Sequence, residues 1–510
     1  MIDLVVYSSR TFFSGPKREL KIMFRALRLK DKNSYWKARW IMRKVGYFHT
    51  YDKEEQQNKI EKLEAKLKYI RFYDLRSHSF PSGFLGRVRH RLERAGINCA
   101  IEDHRKSLGH LNRVKGQLIL EGIEARPEQL KAVNAVLKRK RGILHYATNA
   151  GKTEIAVAIT SVLANQRAAR SKTKEVGRRD NGSLRCLYLV HRVGLAVQAK
   201  ERFKKHGIKT SILGGGFKAI PKHGVLIATV QTAAKVLHYN DDFQTFLEKC
   251  DIVFVDELHV NKADQASSIM DRCEAPIRIG LSGTIDKRSK VKYMHYLGMC
   301  GPILAEVRNK QLVDLGRSAK PYIRFRTIYG PTVTGNYLEA YRDGIVRHAR
   351  RNRMVVREAL RYVEDNKRVL ITVARRKHGW ILLNRLREEV DFPVQFIQGS
   401  DALWVRDKAV RKFVSRKAPI LIVSPIGDVG WDLPEIDAAV FAGGGKGWEL
   451  ILQRLGRTLR RKKGVNEVFI TDFLDYHNQK YLAKHSRRRL RTYRDEGIGE
   501  ITILDKKPGV

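Results

Sequence analysis

The stretch from Gly142 to Leu163 constrains the fold of this 510-residue chain more than any other. Gly142-Ile143-Leu144-His145-Tyr146 is apolar enough for a buried strand, and Ile155, Ile159, Val162 and Leu163 then recur at helical spacing. Between them lies Ala147-Thr148-Asn149-Ala150-Gly151-Lys152-Thr153. Strand, tight loop and helix in that order make the repeating unit of a parallel α/β sheet, with the helix N-terminus aimed at whatever the loop holds. Small residues such as Gly151 let backbone N–H groups converge on anionic oxygens, while Lys152 suits outer phosphates and Thr153 suits Mg²⁺. Tyr146 and Asn149 stand where such loops ordinarily carry glycine. Asn tolerates left-handed backbone angles, so the sequence predicts that Asn149 preserves the turn. A helix-capping turn with no phosphate is the plain alternative, and the rest of the chain decides between them.

Ile252-Val253-Phe254-Val255 reads as a buried parallel strand that delivers Asp256-Glu257-Leu258-His259 at its carboxyl end. Ligands of α/β sheets bind at that edge. One carboxylate can hold Mg²⁺ while its neighbour orients and deprotonates water, a division of labour that phosphoryl transfer requires. Far downstream, Gln453-Arg454-Leu455-Gly456-Arg457-Thr458-Leu459-Arg460 follows an apolar strand and offers two arginines at fixed spacing. In so basic a chain a solvated helix would look similar.

Taken in order, these segments resemble the motifs of superfamily 2 helicases of the DExH type, over about residues 120 to 475. Arg126-Pro127-Glu128-Gln129 resembles the adenine-reading segment, with Gln129 suited to a bidentate pairing. Val190 to Leu195, Gly214-Gly215-Gly216 and Ala228 to Thr232 resemble the elements that touch nucleic-acid backbone. Ser282-Gly283-Thr284 is similar to the link between nucleotide and nucleic acid, and Ser424 to Pro434 is similar to a later motif carrying Gly430 and Asp432. The resemblance implies an α/β fold of two tandem RecA-like parallel-sheet lobes with an N-terminal α+β accessory domain. It implies ATP and Mg²⁺ as cofactors, with Lys152, Asp256, Glu257, Arg457 and Arg460 catalytic and Thr153 with Asp256 on the metal. ATP binding would fall to Arg126, Gln129, Thr148, Asn149, Ala150, Gly151, Lys152, Thr153, Gly430 and Asp432. Coupling would fall to His259, Ser282, Thr284 and Gln453, and nucleic-acid contact to His191, Arg192, Gly215, Gly216, Thr229, Gln231 and Ser424.

Charge agrees with such a partner. Lys and Arg number 100 against 53 Asp and Glu, a formal charge of +47, and a polyanion is the simplest explanation. No apolar run reaches the roughly 18 residues of a membrane span. Met1 to Leu20 carries charges within any apolar stretch, unlike a secretory signal, so the expected location is cytoplasmic, the host's cytoplasm for a phage protein. Five cysteines lack C-x-x-C spacing, which points to reduced thiols and away from zinc. The extent of the motifs and the Gly-, Ser- and Pro-containing break near Gly316 to Pro321 divide the chain into an N-terminal module at 1–117, which the resemblance implies binds DNA, a first lobe at 118–318, a second at 319–485 and a basic tail at 486–510. Asn165 to Ser183 lacks apolar periodicity and reads as an exposed insertion, either a backbone-binding arm or a solvated loop.

Residues 1–117 resemble the N-terminal module of phage UvsW-type helicases, which remodel branched DNA. Lys68 to Asp74 alternates as a strand does, and Pro81 to Gly86 leads into a basic helix running through Arg94. Trp36, Trp40, Tyr47 and Phe48 interleave with Lys37, Arg39, Arg43 and Lys44, a pattern suited to stacking on unpaired bases, although such aromatics are more often core. The resulting expectation is an ATP-driven DNA helicase or translocase, monomeric, acting on forks, Holliday junctions or displacement loops in phage replication, recombination and repair. A helicase for RNA or RNA–DNA hybrids and a non-hydrolysing scaffold remain alternatives. A fragment starting near Gly116 is expected to keep its ATPase.

Overall fold

Long apolar runs without alternation become strands covered on both faces by helices, and two such sheets carry the chain. The computed structural model describes residues 1–31, 33–44, 53–120, 123–173, 184–258, 263–285, 287, 289–424, 436–445, 467–497 and 499–505. The chain divides into two units, Met1–His145 with Thr153–Glu306, and Tyr146–Lys152 with Val307–Val510.

The first unit begins with β1 (Ile2–Val6), β2 (Arg10–Ser14), β3 (Arg28–Lys30), β4 (Tyr69–Arg71), β5 (Ser79–Pro81) and β6 (Cys99–Asp103), and short strands β7 (Ile119–Leu120) and β8 (Ile123–Glu124) follow. A small mixed sheet has the order β5-β2-β1-β6, antiparallel except for the β1–β6 pair. β3 and β4 pair antiparallel at the base of a helical hairpin, Ser34–Lys44 and Lys53–Leu67, whose own core is Ala38, Met42 and Ile60. Trp36 and Trp40 lie outside that core, 64% and 58% exposed, contrary to the commoner fate of such aromatics.

The large sheet of this unit contains β9 (Arg141–Tyr146), β10 (Arg185–Val190), β11 (Thr210–Gly214), β12 (Phe217–Lys218), β13 (Gly224–Thr229), β14 (Ile252–Val255), β15 (Ile277–Ser282) and β16 (Ile303–Val307). Its order is β12-β11-β13-β10-β14-β15-β9-β16, and the run from β11 to β9 is parallel throughout. β14 and β15 are buried at every residue, which is why their sequences do not alternate. The N-terminal region is built onto this lobe. Phe80, Phe84, Val88 and Leu92 share one core with Met294 and Leu297 of the helix Lys290–Cys300.

The second unit carries β17 (Lys320–Ile328), β18 (Val369–Thr372), β19 (Val394–Ile397), β20 (Ile420–Val423), β21 (Ala438–Phe441), β22 (Glu467–Asp475) and β23 (Glu500–Leu504). All pair in parallel in the order β19-β20-β18-β21-β22-β17-β23. The α/β architecture of two parallel-sheet lobes with an N-terminal α+β part is therefore present.

Two segments differ from their sequence reading. The supposed basic tail forms the helix Lys484–Glu496 and then edge strand β23, with Leu490 and Tyr493 packed in the core against Phe325 and Ile470. Arg489 is buried there because Asp472 and Asp475 neutralise it. The supposed insertion at 165–183 is helical to Thr173, as an extension of Lys152–Thr173. Arg167 is not a mobile arm but pairs with the buried Asp251 at 2.9 Å. Residues 174–183 lie outside the described residues.

Candidate nucleotide and nucleic-acid site

The loop after β9 has the backbone that anion binding needs. Asn149 (φ 73°) and Gly151 (φ 78°) both adopt left-handed angles, as the sequence predicted for Asn149. The turn is fixed by Ala150 N–H donating to the Ala147 carbonyl at 3.1 Å, and Ala147 N–H donates to the Val307 carbonyl at 2.8 Å. Left-handed residues ahead of a helix curl consecutive N–H groups toward one side, and the helix from Lys152 adds its N-terminal dipole. Tyr146 replaces a glycine without obstructing this turn, because its side chain is fully buried. A triphosphate fits these donors, with Lys152 and Thr153 at the helix start.

β14 ends in Asp256 and Glu257. Asp256 is 8% exposed, and its Oδ1 accepts from Glu257 N–H at 2.9 Å. Glu257 is held at φ 45°, a conformation that a non-glycine side chain adopts only under constraint from its surroundings, as active sites often impose. Leu258 N–H donates to the Leu281 carbonyl at 3.0 Å, tying this turn to the end of β15. There Ser282 Oγ donates to the Thr284 carbonyl at 2.7 Å, and both side chains are buried. Because β15 lies between β9 and β14, the phosphate loop, the acidic pair and the Ser-Gly-Thr turn leave three neighbouring strands at one edge.

Sequence reasoning missed Tyr188. It lies in β10 with its hydroxyl buried among Thr153 and Asp256; burial, and then the charge of Asp256, pushes its pKa well above the ordinary phenol. A phenol that keeps its proton can donate beside the two groups assigned to Mg²⁺. Nothing marks it in sequence, since a tyrosine within an apolar strand reads as core. Thr153 and Asp256 offer the hard oxygens that Mg²⁺ prefers, in a site where it also keeps water and phosphate ligands. Among the described residues no group of three His, Cys, Asp or Glu is placed to hold a metal by itself.

Gln129 is buried, and its Oε1 accepts from Arg126 N–H at 3.0 Å, closing the N-terminus of the helix Pro127–Arg139. The other expected backbone-contacting groups gather on the second half of the same sheet edge, after β10, β11 and β13. His191 Nδ1 is 3.5 Å from Gln231 Nε2, and Thr229 caps the helix Val230–Val236 through Thr232 N–H. Gly215 is left-handed, and a methyl there would meet Val193 at 2.5 Å, so Gly215 and Gly216 turn tightly over the segment containing Arg192.

Ser424 is buried at the end of β20, with its N–H donating to the Ile397 carbonyl at 3.1 Å. His259, Gly430, Asp432, Gln453, Arg457 and Arg460 lie outside the described residues. The chain leading toward the arginine segment is nevertheless held firmly. Arg351 donates to the Ala442 carbonyl at 2.7 Å and Arg489 to the Gly445 carbonyl at 2.9 Å, while Asp475 and Asp472 balance their charges. Two buried arginines in a chain so rich in arginine leave no sequence signal.

Two family models match this arrangement. Residues 122–287 match the type III restriction enzyme res subunit, and residues 351–462 match the helicase conserved C-terminal domain. The chain belongs to the superfamily 2 helicases. The ATP-dependent DNA helicase uvsW of Enterobacteria phage T4 is 22% identical over 315 residues, 57% of this chain and 61% of that protein. The putative ATP-dependent helicase IRC3 of Saccharomyces cerevisiae is 25% identical over 343 residues, 64% of this chain and 47% of its own length. The chain thus matches about half to three fifths of these relatives. A fragment of a putative HsdR subunit of a type I restriction enzyme from Vibrio vulnificus shares the fold, with a TM-score of 0.54 at 16% identity, over 74% of this chain and 68% of that one.

Proposed function

We propose that this chain is an ATP-dependent DNA helicase or translocase that remodels branched DNA, such as forks, Holliday junctions and displacement loops, in phage replication, recombination and repair. The observation that carries the reading is one sheet edge on which a phosphate loop, an acidic pair and a Ser-Gly-Thr turn adjoin three loops suited to a nucleic-acid backbone. Bound Mg²⁺ would neutralise charge that develops on the transferring phosphoryl group. Lys152 and the loop N–H groups hold the phosphates, Thr153 and Asp256 hold the ion, and Glu257 takes a proton from the attacking water. Arg457 and Arg460 are proposed to complete the site. The Leu258–Leu281 hydrogen bond gives a physical route by which a change at Glu257 reaches Ser282 and Thr284. That the phage T4 relative is a DNA helicase by name supports DNA over RNA as the partner.

The test compares ATPase stimulation by single strands, duplex, forks, Holliday junctions and RNA at matched nucleotide concentration. Forks and junctions should stimulate most, and Lys152→Ala should abolish turnover while nucleotide-free DNA binding survives. Strongest stimulation by RNA would move the substrate class. Turnover unaffected by Lys152→Ala would remove the assignment of this loop.

A further inference from the structure

At the opposite edge of the β9 sheet from the nucleotide loop, a cavity of about 510 Å³ opens between the N-terminal region and the first lobe. Gly86, Arg105, Lys138, Arg139, Arg141 and Pro302 are among its lining residues. Arg141, the first residue of β9, is only 7% exposed, and none of its Nε, Nη1 and Nη2 has a hydrogen-bond partner. The charges around it do not compensate. Arg278, also buried, spends its donors on the Ala275 and Cys273 carbonyls, and Arg105 is chelated by Asp103, with Nε at 2.7 Å from Oδ1. Lys138 and Arg139 add two exposed cations, enough to outweigh the carbonyl end of the helix on which they sit. On the facing wall the helix Leu85–Glu93 begins, with no acidic residue in its first turn and open space before Gly86.

A guanidinium out of water with no acceptor, and with only Asp103, already chelating Arg105, as a counter-charge nearby, is costly, and an oxyanion entering the cavity would supply the missing acceptor and add the missing charge. A helix N-terminus facing it adds donors of the same preference. We propose that this cavity is a second phosphate site, separate from the nucleotide loop by the length of β9, about 17 Å at ~3.3 Å per residue. Arg141, a lining residue with buried nitrogens, turns into the cavity as the phosphoryl group enters. The group is either a backbone phosphate of DNA or free phosphate. Both walls belong to the same unit, so a strand held here is anchored to the first lobe throughout the nucleotide cycle.

The test uses the full chain carrying Lys152→Ala, which silences the nucleotide loop. Inorganic phosphate should raise its thermal midpoint in a saturable way, and adding Arg141→Met should abolish that shift. Lys138→Ala with Arg139→Ala, both on the surface, should weaken phosphate by about tenfold and serves if the Arg141 variant does not fold. Salt dependence of duplex binding separates the sources. If the backbone is the ligand, the slope of log Kobs against log salt should fall by about 0.9 per lost contact, and phosphate should compete with DNA. If free phosphate is the ligand, the thermal shift should vanish in Arg141→Met and weaken in the surface variant while the DNA slope stays unchanged. A phosphate shift that survives Arg141→Met, or that saturates at unchanged phosphate concentration in the surface double variant, overturns the proposal, as does the absence of both a shift and a slope change.

Discussion

Glu257 and Asn149 show how much single residues reveal about this site. Asn149 was legible because its backbone tolerance is a property of the residue itself, whereas the positive φ of Glu257 depends on the β14–β15 junction that surrounds it. Glu257→Gln should leave nucleotide affinity within a few-fold of the parent and reduce DNA-stimulated turnover by about 10²–10⁴, the usual worth of a general base. Single-turnover hydrolysis with separately measured nucleotide binding checks this, and an unchanged rate would take the base role from Glu257. Asn149→Gly should retain activity where Asn149→Val should not, since a β-branched residue resists the left-handed turn. A pH effect is expected as well. His378 is buried against Asn352 Oδ1 at 2.9 Å, and burial, with help from the Arg351 charge, lowers its pKa to about 3. The unfolded chain takes up that proton near the ordinary value of ~6.5, so the contribution is complete above that pH. It is lost at up to ~1.4 kcal/mol per pH unit as pH falls toward the folded value. His348, lowered to about 4 chiefly by burial, acts in the same direction. Urea midpoints at about pH 7.5 and about pH 5 should separate the parent from His378→Gln, whose loss should be shallower.

The helix Ser34–Lys44 defeats the rule that aromatics go inside. Ala38 and Met42 occupy its inner face against Ile60, and this small hairpin core leaves no room for indoles. Trp36 and Trp40, four residues apart, therefore share an exposed face, with Arg39 6.0 Å and Lys44 4.5 Å from their respective rings. Exposed rings bordered by cations suit stacking on unpaired bases. Trp36→Ala with Trp40→Ala should weaken binding to single strands and open junctions by about 1–3 kcal/mol per base unstacked, and blunt duplex much less. Equal losses on all three substrates would mean that the rings do not stack. The helix Lys152–Thr173 taught the converse lesson. Its last turns have no apolar period, but Gln166, Arg167, Ala168 and Ala169 favour helix by propensity, and an exposed extension needs no more. In Lys484–Glu496 the buried positions Leu490 and Tyr493 were concealed among arginines, and only Asp472 and Asp475, distant in sequence, explain why one of those arginines goes inside.

At the scale of the molecule, the two parallel-sheet lobes and the succession of motifs could be read from the sequence, because strands such as β9 and β14 announce themselves by a local apolar run, whereas the order of strands within each sheet could not. The seam between the N-terminal region and the first lobe could not, because it is made by residues some two hundred positions apart that carry no local pattern. An ideal Cβ on Gly83 would lie 2.1 Å from the Leu297 carbonyl oxygen, and one on Gly298 would lie 2.8 Å from the Phe84 ring. The two backbones therefore approach as only glycine permits. A fragment beginning near Gly116 would uncover Met294 and Leu297, so it should be poorly soluble or lose cooperative unfolding, against the expectation that it keeps its ATPase. Gly83→Ala tests the seam without truncation. Gly83 has a φ that other residues accept, so local strain is not the issue; the new methyl meets lobe backbone that has little freedom to yield. Overpacking of this kind costs about 1–3 kcal/mol or more, and the urea midpoint of the whole first unit should fall accordingly. Gly86→Ala, three residues on, meets nothing within 4 Å and sits inside the helix Leu85–Glu93, so it should be neutral or stabilising by up to about 1 kcal/mol. If both substitutions behave alike, the N-terminal region is only loosely attached. If Gly83→Ala alone destabilises the lobe and lowers the preference for forks over single strands, substrate selection is built into the same rigid unit that holds Asp256 and Glu257.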